Sequence, residues 1–160
     1  MREQILAILE KNSRIDIAEL AKKLGVNETD VANEIADMER EHIICGYHTL
    51  INWDKTGEEK VTALIEVQVT LQKGNDFNMI AESIYHYPEV HALYLMSGGF
   101  DFTVILEGKT MKEVARFVAD KLAPLDAVLS TATHFVLQKY KDHGTILEVP
   151  ENDERMSVTP

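Results

Sequence analysis

The residues best suited to chemistry are few. Ser97-Gly98-Gly99-Phe100-Asp101 joins two apolar runs. Glycines there let a ligand approach the backbone closely. Backbone N–H groups could meet a carboxylate, and Asp101 could accept hydrogen bonds from an ammonium group. That pair of needs describes an amino acid. The same residues also suit a plain hairpin turn in which Asp101 caps its own backbone, and the sequence leaves both readings open. The turn joins two predicted strands and opens no helix, so the helix-terminus field that attracts phosphate is missing. His42, His48, His86, His91, His134 and His143 are scattered and form no HExxH or comparable ligand set. No nucleophile elbow, Walker loop or Rossmann glycine fingerprint is present. The single cysteine, Cys45, sits among Ile43, Ile44 and Tyr47 and reads as a small buried thiol. One cysteine allows no intrachain disulfide and no thiolate cluster. No catalytic residue, metal or cofactor is expected, and the chain reads as something other than an enzyme.

The elements that would position these groups fall into two sets. Ile5, Leu6, Ile8 and Leu9 predict a first helix. Asp16 and Glu19 have capping-box spacing, followed by Ile17, Leu20, Ala21 and Leu24. Gly25 supplies a left-handed stop. Asn27 caps a third helix, with Asp30 in its first turn and Val31, Ile35 and Met38 on one stripe. Two short helices joined by a tight glycine turn make a helix-turn-helix. The β-forming run Ile43–Ile51 predicts a strand. Residues 52–60 read as a linker in which Trp53 could anchor.

After the linker, Val61 to Thr70 alternates like a half-buried strand, and Lys73-Gly74-Asn75 turns it. A helix follows over 76–87, stopped by Pro88. Strands are predicted over 90–97 and 101–107, then a helix capped by Thr110 and ended by Pro124, then a strand over 128–140. The order is β-α-β-β-α-β, a ferredoxin-like α+β arrangement. The expected organisation is therefore residues 1–51 as a winged helix-turn-helix, 52–60 as linker, 61–141 as the ferredoxin-like domain and 142–160 as a loose tail. Two helices cover one face of a four-stranded sheet. Leu93 and Leu95 on one side, Ala92, Tyr94 and Met96 on the other, and Ile105 and Phe135 predict strands apolar on both faces. A second copy of the same sheet is the simplest cover, so a homodimer is expected.

Charge and composition narrow the classes. The formal net charge is −11 over 160 residues. No run of eighteen apolar residues exists, so no membrane span is expected. Met1-Arg2-Glu3-Gln4 leads into an amphipathic helix and not a signal peptide, and the expected compartment is the cytoplasm. Residues 1–60 carry eight basic and thirteen acidic side chains. The third helix holds Glu28, Asp30, Glu34, Asp37 and Glu39 against Arg40 alone, with Glu41 just after it.

The spaced motifs Ile5-Leu6, Ser13-Arg14-Ile15, Ala18-Glu19-Leu20-Ala21, Leu24-Gly25-Val26, Val31, Ile35, Glu39 and Ile44-x-Gly46-Tyr47, together with Ser97 to Asp101, resemble the leucine-responsive regulator family, Lrp/AsnC, over residues 3 to 141. The resemblance implies a transcriptional regulator that binds operator DNA through its N-terminal domain and an amino acid or related metabolite through its C-terminal sensor. It implies a homodimer that assembles to a tetramer or octamer. It places the effector at Ser97, Gly98, Gly99 and Asp101, beside Thr131 and Thr133 on the last strand. Family members usually carry Arg or Lys near the positions of Glu34 and Asp37, where this chain is acidic. Candidate DNA contacts are Asn27, Thr29, Asn33 and Arg40 from the third helix, with Arg14, Lys22 and Lys23 at phosphates. Each could equally be a solvated surface side chain. Two other readings share the architecture: a tetrapyrrole (sirohaem) decarboxylase-like enzyme using His86, His91 and His134, and a sensor that has lost DNA binding.

Overall fold

Asp16 begins the helix-turn-helix as its position predicts. In the computed structural model, which describes residues 1–71, 74 and 76–147, the Asp16 carboxylate accepts a 2.6 Å hydrogen bond from the Glu19 amide. The helices are α1 (Arg2–Leu9), α2 (Ile17–Leu24) and α3 (Glu28–Arg40). Between α2 and α3, Gly25 takes φ 69°, a conformation in which a Cβ would clash with the backbone. The Asn27 carboxamide oxygen accepts from the Asp30 amide and starts α3. Ile5, Leu20, Ala21, Val31 and Met38 form the buried centre of this unit, which spans Met1–Leu50.

The strand expected over 43–51 does not form. His42 turns to φ 55°, and the Ile43 and Ile44 amides both return to the Met38 carbonyl, at 2.8 and 3.1 Å. Those residues finish α3. From Cys45 onward a strand would need a neighbour to exchange hydrogen bonds with, and among the described residues none pairs there. Among the described residues, no β wing forms beside the helix-turn-helix. Cys45 is exposed rather than buried, its thiol donating to the His42 carbonyl.

The second unit spans Ile51–Pro160. A single 3₁₀ turn, Trp53–Lys55, occupies the expected linker, and the Lys60 ammonium lies 3.7 Å above the Trp53 ring. The strands are β1 (Val61–Val69), β2 (Val90–Leu95), β3 (Phe102–Gly108) and β4 (Val128–Phe135), in the antiparallel order β2-β3-β1-β4. Helices α4 (Phe77–Tyr85) and α5 (Met111–Phe117) complete the β-α-β-β-α-β order, and α5 runs on through a π-helical turn, Val118–Leu122. Thr110 caps α5 through the Glu113 amide. Ala63, Ile65 and Val67 of β1 and Phe102, Val104 and Leu106 of β3 are buried with Ile80, Ile84, Val114, Phe117 and Leu122 of the helices.

Alternation sends Leu64, Glu66, Thr103, Ile105, Ala92, Tyr94, Ala132 and His134 to the other face. Leu93 and Phe135 do not belong there. Both pack into the helix-side core, because Leu93 pairs with Val104 and Phe135 with Ala63. β4 stops at Phe135, short of the expected 140. Lys141–Asp142 (β5) and Thr145–Ile146 (β6) then form a small hairpin. The Leu147 carbonyl accepts from the Asn52 carboxamide at 3.0 Å, so residues 142–147 are tied down where a loose tail was expected. Lys73, Asn75 and the tail from 148 lie outside the described residues. Among the described residues, no helix is long and apolar enough to cross a membrane.

Candidate functional site

In the N-terminal unit the question is what α3 presents outward. Val31 and Met38 point into the core. With 3.6 residues per turn, the opposite stripe holds Thr29, Asn33, Ala36 and Arg40, and all four are exposed. The carboxylates that make this helix acidic lie to either side of the stripe, and most are already engaged. Arg2 of α1 reaches both Glu34, at 2.7 Å, and Glu41, in a two-bond fork at 2.7 and 3.1 Å. This fork raises the Arg2 pKa and holds the Glu41 carboxyl below its ordinary range. The Tyr47 hydroxyl donates to Glu39 at 2.8 Å. Burial, then that carboxylate, push the Tyr47 phenol above its usual value. Asp30 accepts from the Asn27 side chain at 2.6 Å, and Asp37 accepts from the Arg40 guanidinium. The outer stripe is therefore small, neutral and capable of hydrogen bonding, with one cation at its end.

Among the other residues expected at DNA, Arg14, Lys22 and Lys23 are exposed. Lys23 makes an ion pair with Glu19 at 2.9 Å. Asn27 uses both ends of its carboxamide on Asp30, which makes it a helix cap before anything else. Arg2 escaped sequence reasoning because its partners lie 32 and 39 positions away.

In the C-terminal unit, Gly98 takes φ 138° and Gly99 has open space where a side chain would go. Both leave the turn bare, as a ligand against its backbone would require. Asp101 is more occupied than its sequence suggests. Its N–H donates to the Val67 carbonyl at 3.0 Å, and its carbonyl accepts from Met96 at 2.7 Å. Its carboxylate accepts from the Val69 amide at 2.8 Å. A second link, unforeseen from sequence, runs beside it. The Gln68 amide group donates to the Gly99 carbonyl at 3.1 Å, and its oxygen accepts from the Ser130 hydroxyl at 3.1 Å. A polar Gln near the end of an apolar strand was the available signal. Thr131 pairs with Val67 and Thr133 with Ile65. The turn and Thr131 thus flank the same end of β1 from opposite sides, about 10 Å apart at two strand spacings. Thr131 is half-buried and Thr133 exposed.

The histidines do not converge. His86 bonds to the Glu82 carbonyl at 2.8 Å and stacks on Tyr85. His91 lies 3.9 Å from Glu107, and His134 lies 3.4 Å from Glu66. Among the described residues, no three His, Cys, Asp or Glu side chains gather as a metal-ligand set.

Residues 3–39 match the AsnC-type helix-turn-helix domain, and residues 62–146 match the Lrp/AsnC ligand binding domain. The chain belongs to the Lrp/AsnC family. It is 46% identical to YugG, an uncharacterized HTH-type transcriptional regulator of Bacillus subtilis, over 98% of this chain and 95% of that one. It is 31% identical to the HTH-type transcriptional regulator LrpA of Pyrococcus horikoshii, over 86% of this chain and 94% of that one. Its fold also matches a transcriptional regulator of Neisseria meningitidis solved as an L-Met complex, with TM-score 0.69 and 23% identity, covering 88% and 90% of the two chains. Like its Lrp/AsnC relatives, the chain pairs a helix-turn-helix with an α+β ligand-binding domain, and it is a transcriptional regulator of that family.

Proposed function

We propose that this regulator binds operator DNA through the outer stripe of α3 and responds to an α-amino acid held at the Ser97–Asp101 turn. The observation that carries the DNA half is the disposition of α3. Its Thr29, Asn33 and Arg40 face outward, while Asp30, Glu34, Asp37 and Glu39 are tied to Asn27, Arg2, Arg40 and Tyr47 in turn. Hydroxyl, carboxamide and guanidinium groups are the donors that read base edges in the major groove. Arg14, Lys22 and Lys23 serve phosphates, and Asn27 fixes the start of the reading helix. Because few cations are free for phosphates, non-specific binding is weak and its salt dependence shallow.

The bare turn supports the effector half. Its N–H groups suit a carboxylate, Asp101 suits the ammonium, and the hydroxyls of Ser97, Thr131 and Thr133 select the side chain. The Neisseria regulator's L-Met complex supports an amino acid as the ligand class. The protein acts in the cytoplasm as a homodimer through the sheet face opposite the helices, assembling further to a tetramer or octamer. Effector binding shifts populations among these assemblies and so resets the spacing of paired α3 helices. Calorimetry with the twenty amino acids, followed by gel shifts of the chain's own upstream region with and without any binder, tests the reading. One amino acid should bind and alter the shift. Absence of retardation at low salt in every condition would sink the DNA half, and absence of heat from all twenty would sink the effector half.

A further inference from the structure

Asp37 is the carboxylate of α3 whose partner, Arg40, itself belongs to the outer stripe. It sits beside the outer stripe, four residues after Asn33 and three before Arg40. A carboxylate there meets the phosphates of any bound duplex and should repel them. Glu34 and Glu41 are turned toward Arg2 on the α1 side, which bonds both and offsets part of their charge. Glu39 is turned to Tyr47. Asp37 bonds instead to Arg40, a side chain 72% exposed, by accepting from its Nη2.

We propose that Asp37 is a positioning residue for Arg40, and that the pair reads one guanine in each operator half-site. This rests on the DNA-binding reading above. An arginine on a helix surface is a flexible chain with five N–H donors. Held at one Nη2 proton by a carboxylate one turn back, it keeps a parallel pair of donors for a partner. Guanine O6 and N7 form the major-groove edge that accepts two parallel N–H bonds. Ordering the fork before DNA arrives removes part of the entropy cost of that contact. The cost is a negative charge close to the phosphates. Asp37 therefore gives up general DNA affinity and gains discrimination.

These two effects have opposite signs, and that makes the proposal testable. Operators are selected from random-sequence duplexes with the full-length unmodified chain. Binding is then measured at fixed salt for that chain and for Arg40→Ala, Arg40→Lys and Asp37→Asn, against the operator, each single base change in it, and random DNA. Arg40→Ala should lose roughly tenfold of preference at one G·C pair per half-site, within the range for a bidentate contact. Arg40→Lys should keep the charge and lose the same preference. Asp37→Asn, which keeps the side chain's shape, should weaken preference at that pair alone while binding random DNA more tightly. An Asp37→Asn protein that discriminates at every position as before overturns the proposal. So does an Arg40→Ala protein that loses affinity equally for all sequences, since Arg40 is then a phosphate contact. A selection that enriches no sequence refutes the DNA reading itself, and the guanine contact with it.

Discussion

The Asp101 carboxylate caps the backbone of a neighbouring strand, accepting from the Val69 amide at 2.8 Å. Its sequence context offered a turn cap or an ammonium partner. In the fold it closes the end of the sheet. β1 runs past the start of β3, so the Val69 N–H has no ladder carbonyl on that side, and the Asp101 carboxylate takes its place. An acceptor 32 residues from its donor cannot be inferred from local pattern. Removing it leaves a part-buried donor unsatisfied, which costs about 1–3 kcal/mol. Asp101→Ala should therefore lower stability by that amount in urea unfolding. Asp101→Asn keeps an acceptor and should recover at least half of the loss. If Asp101→Ala is as stable as the parent, the cap contributes nothing. Effector calorimetry belongs on Asp101→Asn, where lost affinity reports the missing charge and not a loosened turn.

Single elements were legible wherever their signal was local. Asp16, Asn27 and Thr110 each announced a helix start, and each accepts the backbone bond expected of it. The strand over 43–51 failed for the opposite reason. β-forming residues supply only half of a strand, and the other half is a neighbour. The placement of Leu93 failed similarly, because its face is set by pairing with Val104 on β3. Contacts between elements were also invisible. The segment entering β2 is held to the π-helical end of α5 by Glu89 and Lys121, 2.6 Å apart, and Lys121 also lies over the Tyr87 ring at 5.1 Å. The hydrogen bond from Lys121 holds the Glu89 carboxyl below its ordinary value of 4.5. A depressed folded-state value means that the pair stabilises at pH above the unfolded value and that its contribution fades as pH falls through the folded one. Both partners are more than a third exposed, so the amount is about 0.2–1 kcal/mol. Glu89→Gln should melt slightly below the parent at neutral pH, and the two melting curves should converge in acid below pH 4.5. A constant gap across that range would mean that the ion pair is not its source.

At the scale of the whole molecule, the acidic total of −11 was the sequence feature that argued hardest against a DNA-binding protein. The reading proposed above answers it geometrically, since composition counts charges and only the fold says which way they point. The proposed homodimer is likewise a statement about faces. Leu64, Tyr94 and Ile105 lie on the side of the sheet away from α4 and α5, whereas Leu93 lies in the core beneath the helices. Ile105→Asp should convert the assembly to a folded monomer in sedimentation, while Leu93→Asp should unfold the C-terminal unit. A folded monomer from the unmodified chain at micromolar concentration would refute the interface. The two apolar cores described above share no residue: one lies within Met1–Leu50 and the other within Ile51–Pro160. A unit with its own core can be inherited by itself. A substitution that retunes the sensor need not disturb the reader, and the reverse also holds. Recombination near residue 50 can therefore join this ligand-binding unit to a different helix-turn-helix, so one ligand's signal can be rewired to new genes without inventing a new protein.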